Sequence, residues 1–265
     1  MSDDGARDIV LSVDRLTLAF RGLVALDDVS LEIRPGLVTG IVGPNGAGKS
    51  SLLNCINGFY RPRSGDITWQ GQSIVRKAPH DIARLGIART FQGVELIPEL
   101  SVMDNVLVGL HTLMRAGVAR CTVKSLRARR EEDWAYARAE EVLGFLGIAR
   151  FRGKQAGSLS YGDQKVVAIA RALVAEPRLL LLDEPTSGMS QVEKSAMAEV
   201  ITQLRRERGL TQVLIEHDVP MIRSLADDVI VLDFGCVLAT GTPEEVFSRP
   251  DVIEAFVGRR ALAGS

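Results

Sequence analysis

The sequence lacks an excess of charge of either sign, because 32 Lys and Arg face 33 Asp and Glu for a formal net charge of −1. A dedicated nucleic-acid binder usually has a basic excess, so we expect no nucleic-acid partner. No apolar run approaches the roughly 18–20 residues that span a bilayer, since Arg178 and Asp183 bound the run Leu179–Leu182. The acidic N-terminus lacks the basic and apolar regions of a secretory signal. We therefore expect the chain in the cytoplasm unless a partner holds it elsewhere.

Cysteine is also scarce. Cys55, Cys121 and Cys236 are an odd number without the spacing of a metal site, which favours reduced thiols in a cytosolic protein. Disorder is excluded as the main state, because 46% of the residues are hydrophobic and only 25% are charged. A length of 265 residues suits one large α/β domain or two small ones and is ample for a buried core.

The first part of the chain mixes antiparallel strand signals with one strand–loop–helix unit. The apolar run Leu37–Val42 ends in a glycine-rich turn, and the spacing then predicts a helix over Lys49–Asn57 with Gly58 just after its C-cap. Segments with the alternation or length of short strands are Ile9–Leu18, Val29–Ile33, Ile67–Trp69 and Gln72–Val75, the last two flanking Gly71 as a small hairpin.

The middle of the chain, from about Val94 to Lys165, is predominantly helical in pattern, most clearly at Asp104–Leu113 and Arg130–Leu146. A basic stretch over residues 115–130 is interpreted as a solvated face rather than a specific anionic contact. After Gln164, helical and strand patterns alternate, which implies a parallel sheet with helices on both faces. We interpret the whole as one unit with an all-helical insertion, not as two independent domains.

The segment Gly43–Ser50 fits the pattern G-x-x-x-x-G-K-[ST] without a gap, between a predicted strand and a predicted helix. Glycines let successive backbone N–H groups converge on phosphate oxygens, and the helix N-terminus adds unpaired donors and partial positive charge. Lys49 would reach the β- and γ-phosphates, and Ser50 would bind Mg²⁺. The alternative is a glycine-rich turn with an incidental lysine, and the flanking strand and helix argue against it.

Two acids end the apolar strand Leu179–Leu182. Asp183 at the strand end can hold Mg²⁺, and Glu184 is placed to orient or deprotonate the water that attacks the γ-phosphate. Taken alone, acids after a strand are commonly a helix N-cap and its neighbour. The phosphate loop upstream in the same chain favours the catalytic interpretation.

Four further motifs occur in the order typical of one family. Leu159–Gln164 resembles the signature of the ATP-binding cassette (ABC) ATPases, commonly Leu-Ser-Gly-Gly-Gln. Gln92 matches the family's Q-loop, His217 its switch histidine, and Phe20 the aromatic residue that stacks on adenine. With the phosphate loop and the acid-ended strand, the chain resembles ABC ATPases from about residue 9 to residue 258.

The resemblance implies ATP and Mg²⁺ as ligands and gives a role to each matching residue. Oxygen donors that would meet Mg²⁺ are Ser50, Gln92 and Asp183. Residues that would contact the nucleotide in the same subunit are Phe20, Gly43, Asn45, Gly46, Ala47, Gly48, Lys49, Ser50 and Ser51.

The hydrolytic roles implied by the resemblance fall on Glu184 as the catalytic carboxylate, together with Gln92 and His217. Ser160 and Gly162 would face the γ-phosphate of ATP held by a second ATPase subunit. The family therefore implies a head-to-tail dimer with two ATP molecules at its interface, and each site is incomplete in one subunit.

The residues alone leave alternatives at four of these positions. A lone histidine after a strand is more often structural or exposed than functional, and this applies to His217. Gln92 alone could be a surface amide, Ser160 a helix cap, and Phe20 a core or exposed aromatic. Only the family match favours the functional roles.

Three positions depart from the family's usual pattern. Tyr161 stands where glycine is usual, and Asp163 where glutamine is usual, with Gln164 one place later. In the loop after the two acids, Ser190 replaces an aspartate. That loop couples the two sites of the dimer, so the loss of charge bears on their communication but not on ATP binding.

The resemblance implies an α/β fold, that of a phosphate-loop NTPase with a RecA-like, mostly parallel core sheet. An N-terminal antiparallel β subdomain and an inserted α-helical subdomain complete it. We expect a single domain over residues 8–258, with the core and β subdomain at about 8–93 and 166–258 and the helical insertion at about 94–165. Residues 1–7 and 259–265 are expected to be flexible termini.

Three stretches resemble the larger ATPase subunit of branched-chain amino-acid importers, a group that also serves other hydrophobic amino acids, amides and urea. They are Gly86–Gln92, the Leu-Ser-Tyr-Gly signature and Gly241–Gly258. The resemblance implies two transmembrane permease subunits, a second ATPase subunit that is heteromeric or identical, and an extracytoplasmic solute-binding protein that acts indirectly. The chain would lie on the cytoplasmic face of the inner (plasma) membrane. The segment Val94–Met103 would join the Mg²⁺ site to the helical insertion.

Three other functions remain open from the sequence. They are an ABC ATPase for export of lipid or polysaccharide, a soluble ABC ATPase acting on ribosomes or in DNA repair, and a regulatory module without ATP turnover. The soluble class usually has two cassettes in one chain or a long coiled-coil insertion, and this sequence has neither. Glu184 argues against the regulatory module. Selectivity resides in other subunits, so this chain does not specify the solute.

Overall fold

The computed structural model describes residues 9–111 and 126–262 and places them in two sheets with flanking helices. Strands of the first sheet are Leu11–Phe20 (β1), Leu23–Ile33 (β2), Ser64–Trp69 (β4) and Gln72–Ser73 (β5). Within the described residues, this sheet is antiparallel with the order β2-β1-β4-β5. It is the β subdomain that the pattern predicts, and the hairpin around Gly71 is present.

The second sheet forms the core of the fold. Its strands are Val38–Val42 (β3), Ile87–Thr90 (β6), Leu179–Asp183 (β7), Thr211–Ile215 (β8), Asp228–Asp233 (β9) and Cys236–Gly241 (β10). In the described part of the chain their order is β10-β9-β3-β8-β7-β6, all parallel except β10, which runs antiparallel to β9. Parallel strands end at the same edge of a sheet, so the loops after β3, β6, β7 and β8 meet there.

Helices connect the strands and form the middle of the chain. Their bounds are Lys49–Ile56 (α1), Pro79–Arg84 (α2), Val102–Val108 (α3), Leu126–Phe145 (α4), Tyr161–Leu173 (α5), Gln191–Arg208 (α6), Val219–Leu225 (α7), Pro243–Phe247 (α8) and Pro250–Leu262 (α9). The segment between β6 and β7 is helical, and α3 contacts both α4 and α5. α1 ends as predicted, with Gly58 after the C-cap at a φ of 74°.

Strand β7 separates two hydrophobic cores. Leu180 and Leu182 face a core formed with α3, α4, α5 and α6. Leu179 and Leu181 face a second core, shared with α1 and the antiparallel sheet. All four side chains are fully buried, which explains the uninterrupted apolar run in the sequence, because a strand covered on both faces needs no polar side.

Several element bounds differ from the sequence expectation. β1 starts at Leu11 rather than Ile9 and extends to Phe20, and β2 starts at Leu23 rather than Val29. α3 ends at Val108, short of the expected Leu113. The pattern does not predict α2, β6, β10, α8 or α9, of which all but α9 have only four to six residues. Segments that short give little periodicity to detect.

The structure describes only part of the basic stretch 115–130, because residues 112–125 lie outside the described ranges, Cys121 among them. Residues 1–8 and 263–265, which include most of the expected termini, also lie outside.

Cys55 is buried in the second core, where burial raises the pKa of its thiol to about 12, whereas Cys236 is exposed. Across the described ranges, no helix combines the length and apolar character needed to cross a membrane.

Candidate nucleotide-binding and hydrolysis site

The phosphate loop joins β3 to α1, and three of its glycines have positive φ: Gly43 (148°), Gly46 (81°) and Gly48 (100°). A Cβ atom on Gly43 would lie 2.0 Å from the carbonyl oxygen of Leu232. A Cβ atom on Gly48 would lie 2.6 Å from the carbonyl oxygen of Ala25. The backbone conformation and the close approach of neighbouring backbone segments therefore both require glycine at positions 43 and 48.

The loop is fixed at its base and open at its tip. Ala47 is buried, and its carbonyl oxygen accepts a hydrogen bond of 3.1 Å from the backbone N–H of Gly235 in the turn between β9 and β10. Asn45, Gly46 and Ser50 are exposed. A rigid base with an exposed tip suits a loop that binds a ligand through its backbone.

Within residues 9–111 and 126–262, no side chain caps the N-terminus of α1, because its N-cap residue is Gly48. Helices α5, α6 and α7, by contrast, are capped by Ser160, Ser190 and Asp218. The first backbone donors of α1, at the half-buried Ser51 and its neighbours, are therefore not paired with a capping side chain. Such a helix end attracts anions through its donors and its partial positive charge.

Lys49 is buried inside this loop. Its Nζ donates hydrogen bonds of 2.8 Å and 2.9 Å to the carbonyl oxygens of Gly43 and Pro44. Burial lowers the pKa of Lys49, and the negative charges of Glu184 and Asp183 partly oppose that shift. The ammonium group thus lies against the loop and within electrostatic reach of two carboxylates.

Glu184 brings two other predicted residues together. Its Oε1 lies 2.7 Å from Nε2 of His217, and its Oε2 accepts a hydrogen bond of 2.6 Å from Nε2 of Gln92. These three residues, named the Glu184 cluster below, follow the neighbouring strands β7, β8 and β6. Two fixed partners leave the carboxylate little freedom to rotate, which suits a group that must orient a water molecule.

The candidate Mg²⁺ ligands are a carboxylate, a hydroxyl and an amide. Asp183 is buried, and its Oδ2 lies 2.6 Å from Nη2 of Arg89. A few hard oxygen donors suit Mg²⁺, which keeps several waters and takes substrate phosphate oxygens as further ligands. In the described ranges, no three His, Cys, Asp or Glu side chains form a metal-binding group. Separately, the hydroxyl, amide and carboxylate oxygens of Ser50, Gln92 and Asp183 are hard donors of the kind that suit Mg²⁺ bound together with a nucleotide.

Two buried charged residues in this region were not expected from the sequence. Nζ of Lys165 donates hydrogen bonds to the carbonyl oxygens of Gln92 (2.7 Å) and Glu184 (3.2 Å), and burial lowers the pKa of Lys165. Glu216 accepts hydrogen bonds from the backbone N–H (2.9 Å) and hydroxyl (2.6 Å) of Thr186. Lys165 thus ties helix α5 to the Glu184 cluster. In the sequence, each residue is only a charge at the end of an apolar run.

Phe20 is an exposed aromatic rather than a core residue, with 42% of its surface accessible. Tyr60 is also exposed and meets Phe20 edge to face, with ring centroids 5.0 Å apart. An exposed ring held by a second ring is suited to stacking on a planar base. The sequence reasoning did not single out Tyr60.

The signature residues lie at the start of α5. The Oγ of Ser160 accepts a hydrogen bond of 3.1 Å from the backbone N–H of Asp163, so Ser160 is the helix cap that its sequence position allows. Gly162 donates its backbone N–H to Oε1 of Glu193 at 3.2 Å, and a Cβ atom there would lie 2.6 Å from that oxygen. Among the described residues, neither Ser160 nor Gly162 hydrogen-bonds to the Glu184 cluster.

The unusual residues Tyr161 and Ser190 have local packing explanations. Ser190 and Glu193 cap α6 reciprocally, so serine in place of aspartate still starts this helix. The hydrogen bonds from Ser190 lower the pKa of Glu193. The ring of Tyr161 lies beside Gly188. One carboxylate, that of Glu193, therefore connects the loop after β7 to the signature at Gly162.

The core sheet, the phosphate loop, the acid-ended strand and the signature helix together define an ATPase of the ATP-binding cassette class. The family model described as ABC transporter matches residues 26–187. The chain belongs to the ABC transporter ATP-binding family, and nucleotide binding follows from that membership. The α/β fold class predicted from the sequence is confirmed.

The relatives of this chain include named subunits of one transport system. It is 39% identical over 249 residues to the high-affinity branched-chain amino acid transport ATP-binding protein LivG of Salmonella typhimurium and of Escherichia coli, covering 94% of this chain and 98% of each relative. BraF of Pseudomonas aeruginosa, which has the same description, matches with the same figures. The resemblance to the ATPase subunits of branched-chain amino-acid importers is thereby confirmed.

Solved structures agree with this assignment. A nucleotide-free ATP-binding cassette from an ABC transporter superposes with a TM-score of 0.83 and 30% identity, covering 94% of this chain and 99% of that one. The ADP conformation of MJ1267, an ATP-binding cassette of an ABC transporter, also gives a TM-score of 0.83 and 30% identity, covering 95% and 99%.

Proposed function

We propose that this chain is the ATP-hydrolysing subunit of an ABC importer that energises uptake of branched-chain or other hydrophobic amino acids, or of related amides or urea. The observation that carries the proposal is the extent of the similarity. The alignment with LivG and BraF covers 98% of their length and extends well beyond residues 26–187, the part of this chain that the family model matches. Sequence outside the ATPase motifs is less constrained by ATP chemistry, so its similarity favours a shared transport role.

Hydrolysis is proposed to occur at the Glu184 cluster. ATP phosphates would bind the backbone donors of Gly43–Ser50, with the ammonium of Lys49 beside them. The Glu184 carboxylate would orient the attacking water and accept its proton, while Gln92 and His217 hold the carboxylate in place. The adenine ring would stack on Phe20, which is exposed for that contact.

Mg²⁺ is the proposed cofactor, held by Ser50, Gln92 and Asp183 together with ATP. The ion would neutralise charge on the β- and γ-phosphates. Among these ligands, Asp183 is the one charged donor, and its buried position at the end of β7 fixes its carboxylate.

A second ATPase subunit, heteromeric or identical, is proposed to complete each site. Ser160 is exposed at the start of α5, where its hydroxyl can reach a ligand outside its own chain. Within their own chain, Ser160 bonds to Asp163 and Gly162 donates its N–H to Glu193 rather than to the Glu184 cluster. ATP held by a partner would replace or add to these hydrogen bonds. Head-to-tail pairing would then place two ATP molecules at the interface.

The permease subunits are proposed to dock in a groove between the core sheet and the helical segment. The groove has a volume of about 500 Å³ and is lined by Phe59 and Phe91 on the core side and by Val108 on α3. Phe59 and Val108 are 52% and 39% exposed. A groove with aromatic walls suits the apolar face of a short helix. Glu95, in the segment Val94–Met103, also lines the groove and lies three residues after Gln92.

This docking would hold the chain at the cytoplasmic face of the inner (plasma) membrane. An extracytoplasmic solute-binding protein would act only through the two permease subunits. No nucleic-acid partner is proposed, since the formal net charge of the chain is −1.

Affinity purification from detergent-solubilised membranes, followed by mass spectrometry, tests the proposal. We expect two multi-span permease subunits and a second ATPase to accompany the wild-type chain. The variant Val108→Asp places a charge in the groove, and we expect it to recover at least about tenfold less permease, because burying an unpaired carboxylate is costly.

The matched control is Ile253→Asp, which adds the same charge at a comparably exposed apolar residue of α9, outside the groove lining. It should recover the permease at the wild-type level. Ribosomal or nucleic-acid partners from the soluble fraction alone would contradict the transport role. Equal permease recovery by both variants would remove the groove as the docking site.

A further inference from the structure

Arg89 connects the two elements that carry the candidate metal ligands. Its side chain is only 6% exposed. Nη2 lies 2.6 Å from Oδ2 of Asp183 on β7, and Nη1 lies 2.6 Å from Oδ1 of Asn54 on α1. Asn54 lies one helical turn beyond Ser50, the other ligand candidate on that element. One guanidinium group thus joins the acid-ended strand to the helix that begins at the phosphate loop.

Arg89 also lines the groove. Its Cζ lies 5.0 Å from the centroid of the Phe91 ring, which meets Phe59 edge to face at 6.0 Å. Arg89, Phe91 and Phe59 all line the groove. A continuous set of contacts therefore runs from the exposed ring of Phe59 through Phe91 and Arg89 to Asp183.

The position of this charge has an electrostatic consequence for the metal site. Asp183 is also 6% exposed, so its attraction to Arg89 is weakly screened by water. The guanidinium occupies one carboxylate oxygen and offsets the negative charge that would attract a divalent cation. Nε of Arg89 is buried without a hydrogen-bond partner among the described residues, so the side chain is held chiefly by these two polar partners and the ring.

We propose that Arg89 is a positioning residue that limits the affinity of Asp183 for Mg²⁺ and relaxes that limit when a permease helix moves Phe91 in the groove. The first half concerns the isolated subunit and rests on the proposed Mg²⁺ site, whereas the second half rests on the proposed transport function as well. Arg89 acts through Asp183 and does not itself contact nucleotide.

The test of the first half is a Mg²⁺ titration of nucleotide binding by the purified full-length chain, followed with a fluorescent ribose-modified ADP. Arg89→Met should lower the Mg²⁺ concentration at half-maximal binding by about tenfold, the size expected for removing one partly screened charge. Arg89→Lys keeps the charge, so its midpoint should lie nearer the wild-type value. If Arg89→Met does not fold, Arg89→Lys tests the proposal in its place. Its Mg²⁺ midpoint must then lie within twofold of the wild-type midpoint.

The matched control is Arg138→Met, because Arg138 is another mostly buried arginine, 14% exposed, with an ion pair to Glu141 and an Nε that has no hydrogen-bond partner in the part of the chain that the structure describes. It should destabilise the fold without moving the Mg²⁺ midpoint. A wild-type midpoint in folded Arg89→Met would overturn the proposal, and so would an equal shift in Arg138→Met.

The second half is tested with the assembled membrane complex. Assembly with permease should lower the wild-type Mg²⁺ midpoint, and it should leave that of Phe91→Ala unchanged, because the ring that contacts Arg89 is gone. An equal response of both proteins would overturn the relay through Phe91. Failure to find any permease partner would refute the proposed function but leave the titration of the isolated chain as it stands.

Discussion

Replacing Glu184 by Gln will reduce steady-state ATP hydrolysis by about a hundredfold or more while ATP binding persists, the loss expected for a general base. The amide has the same shape as the carboxylate and can still contact Gln92 and His217. The amide cannot accept a proton from water. Because it is neutral, it also does not offset the positive charge of Lys49 as the carboxylate does. The change therefore removes the chemical step and leaves the phosphate loop intact.

The measurement is phosphate release under saturating ATP, with nucleotide affinity determined in parallel. Glu176→Gln is the matched control, because Glu176 also has a positive φ, 52° against 49° for Glu184, and is exposed beside Arg138. We expect wild-type turnover from this control. Unchanged turnover in Glu184→Gln would exclude Glu184 from the mechanism.

Gly43→Ala will destabilise the fold by at least about 3 kcal/mol, the combined size of backbone strain and overpacking. The new Cβ atom would lie 2.0 Å from the carbonyl oxygen of Leu232, which is backbone of β9 and has little room to move. The loop must then shift, so nucleotide binding should be lost as well. Urea denaturation followed by circular dichroism measures the free energy of unfolding directly.

Gly46→Ala separates the two causes. Gly46 also has positive φ, 81°, but no atom of the described residues lies within 4 Å of its Cβ position. Only conformational strain remains, and we expect a loss of about 1–2 kcal/mol. Equal destabilisation by the two substitutions would show that the close contact at Leu232 does not determine the need for glycine at position 43.

The strands with the clearest patterns could be predicted from the sequence because every residue of each strand is buried. β7 is covered on both faces and reads as the unbroken run Leu179–Leu182, and β3 is likewise fully buried. β6 has only four residues, Ile87–Thr90, of which Ala88 is half-buried and Arg89 is charged although its side chain is buried. Such a short mixed segment resembles a loop, so the sequence gives no sign that it completes the core sheet.

The Glu184 cluster could be predicted only through the family, because its members are far apart in the chain. Gln92 and His217 lie 92 and 33 residues from Glu184. They meet because β6, β7 and β8 are neighbours in one sheet, and periodicity alone does not give the strand order. Arg89 and Lys165 escaped notice for the same reason, since their partners lie on other elements.

Uptake by reconstituted vesicles tests the central claim most directly. The chain would be assembled with its permease and second ATPase in vesicles, supplied with the solute-binding protein and radiolabelled leucine on one side and Mg·ATP on the side of the ATPases. We predict ATP-dependent accumulation of leucine, abolished by Glu184→Gln in this chain. Hydrolysis of ATP without accumulation of leucine, isoleucine, valine or another hydrophobic amino acid, amide or urea would contradict the account.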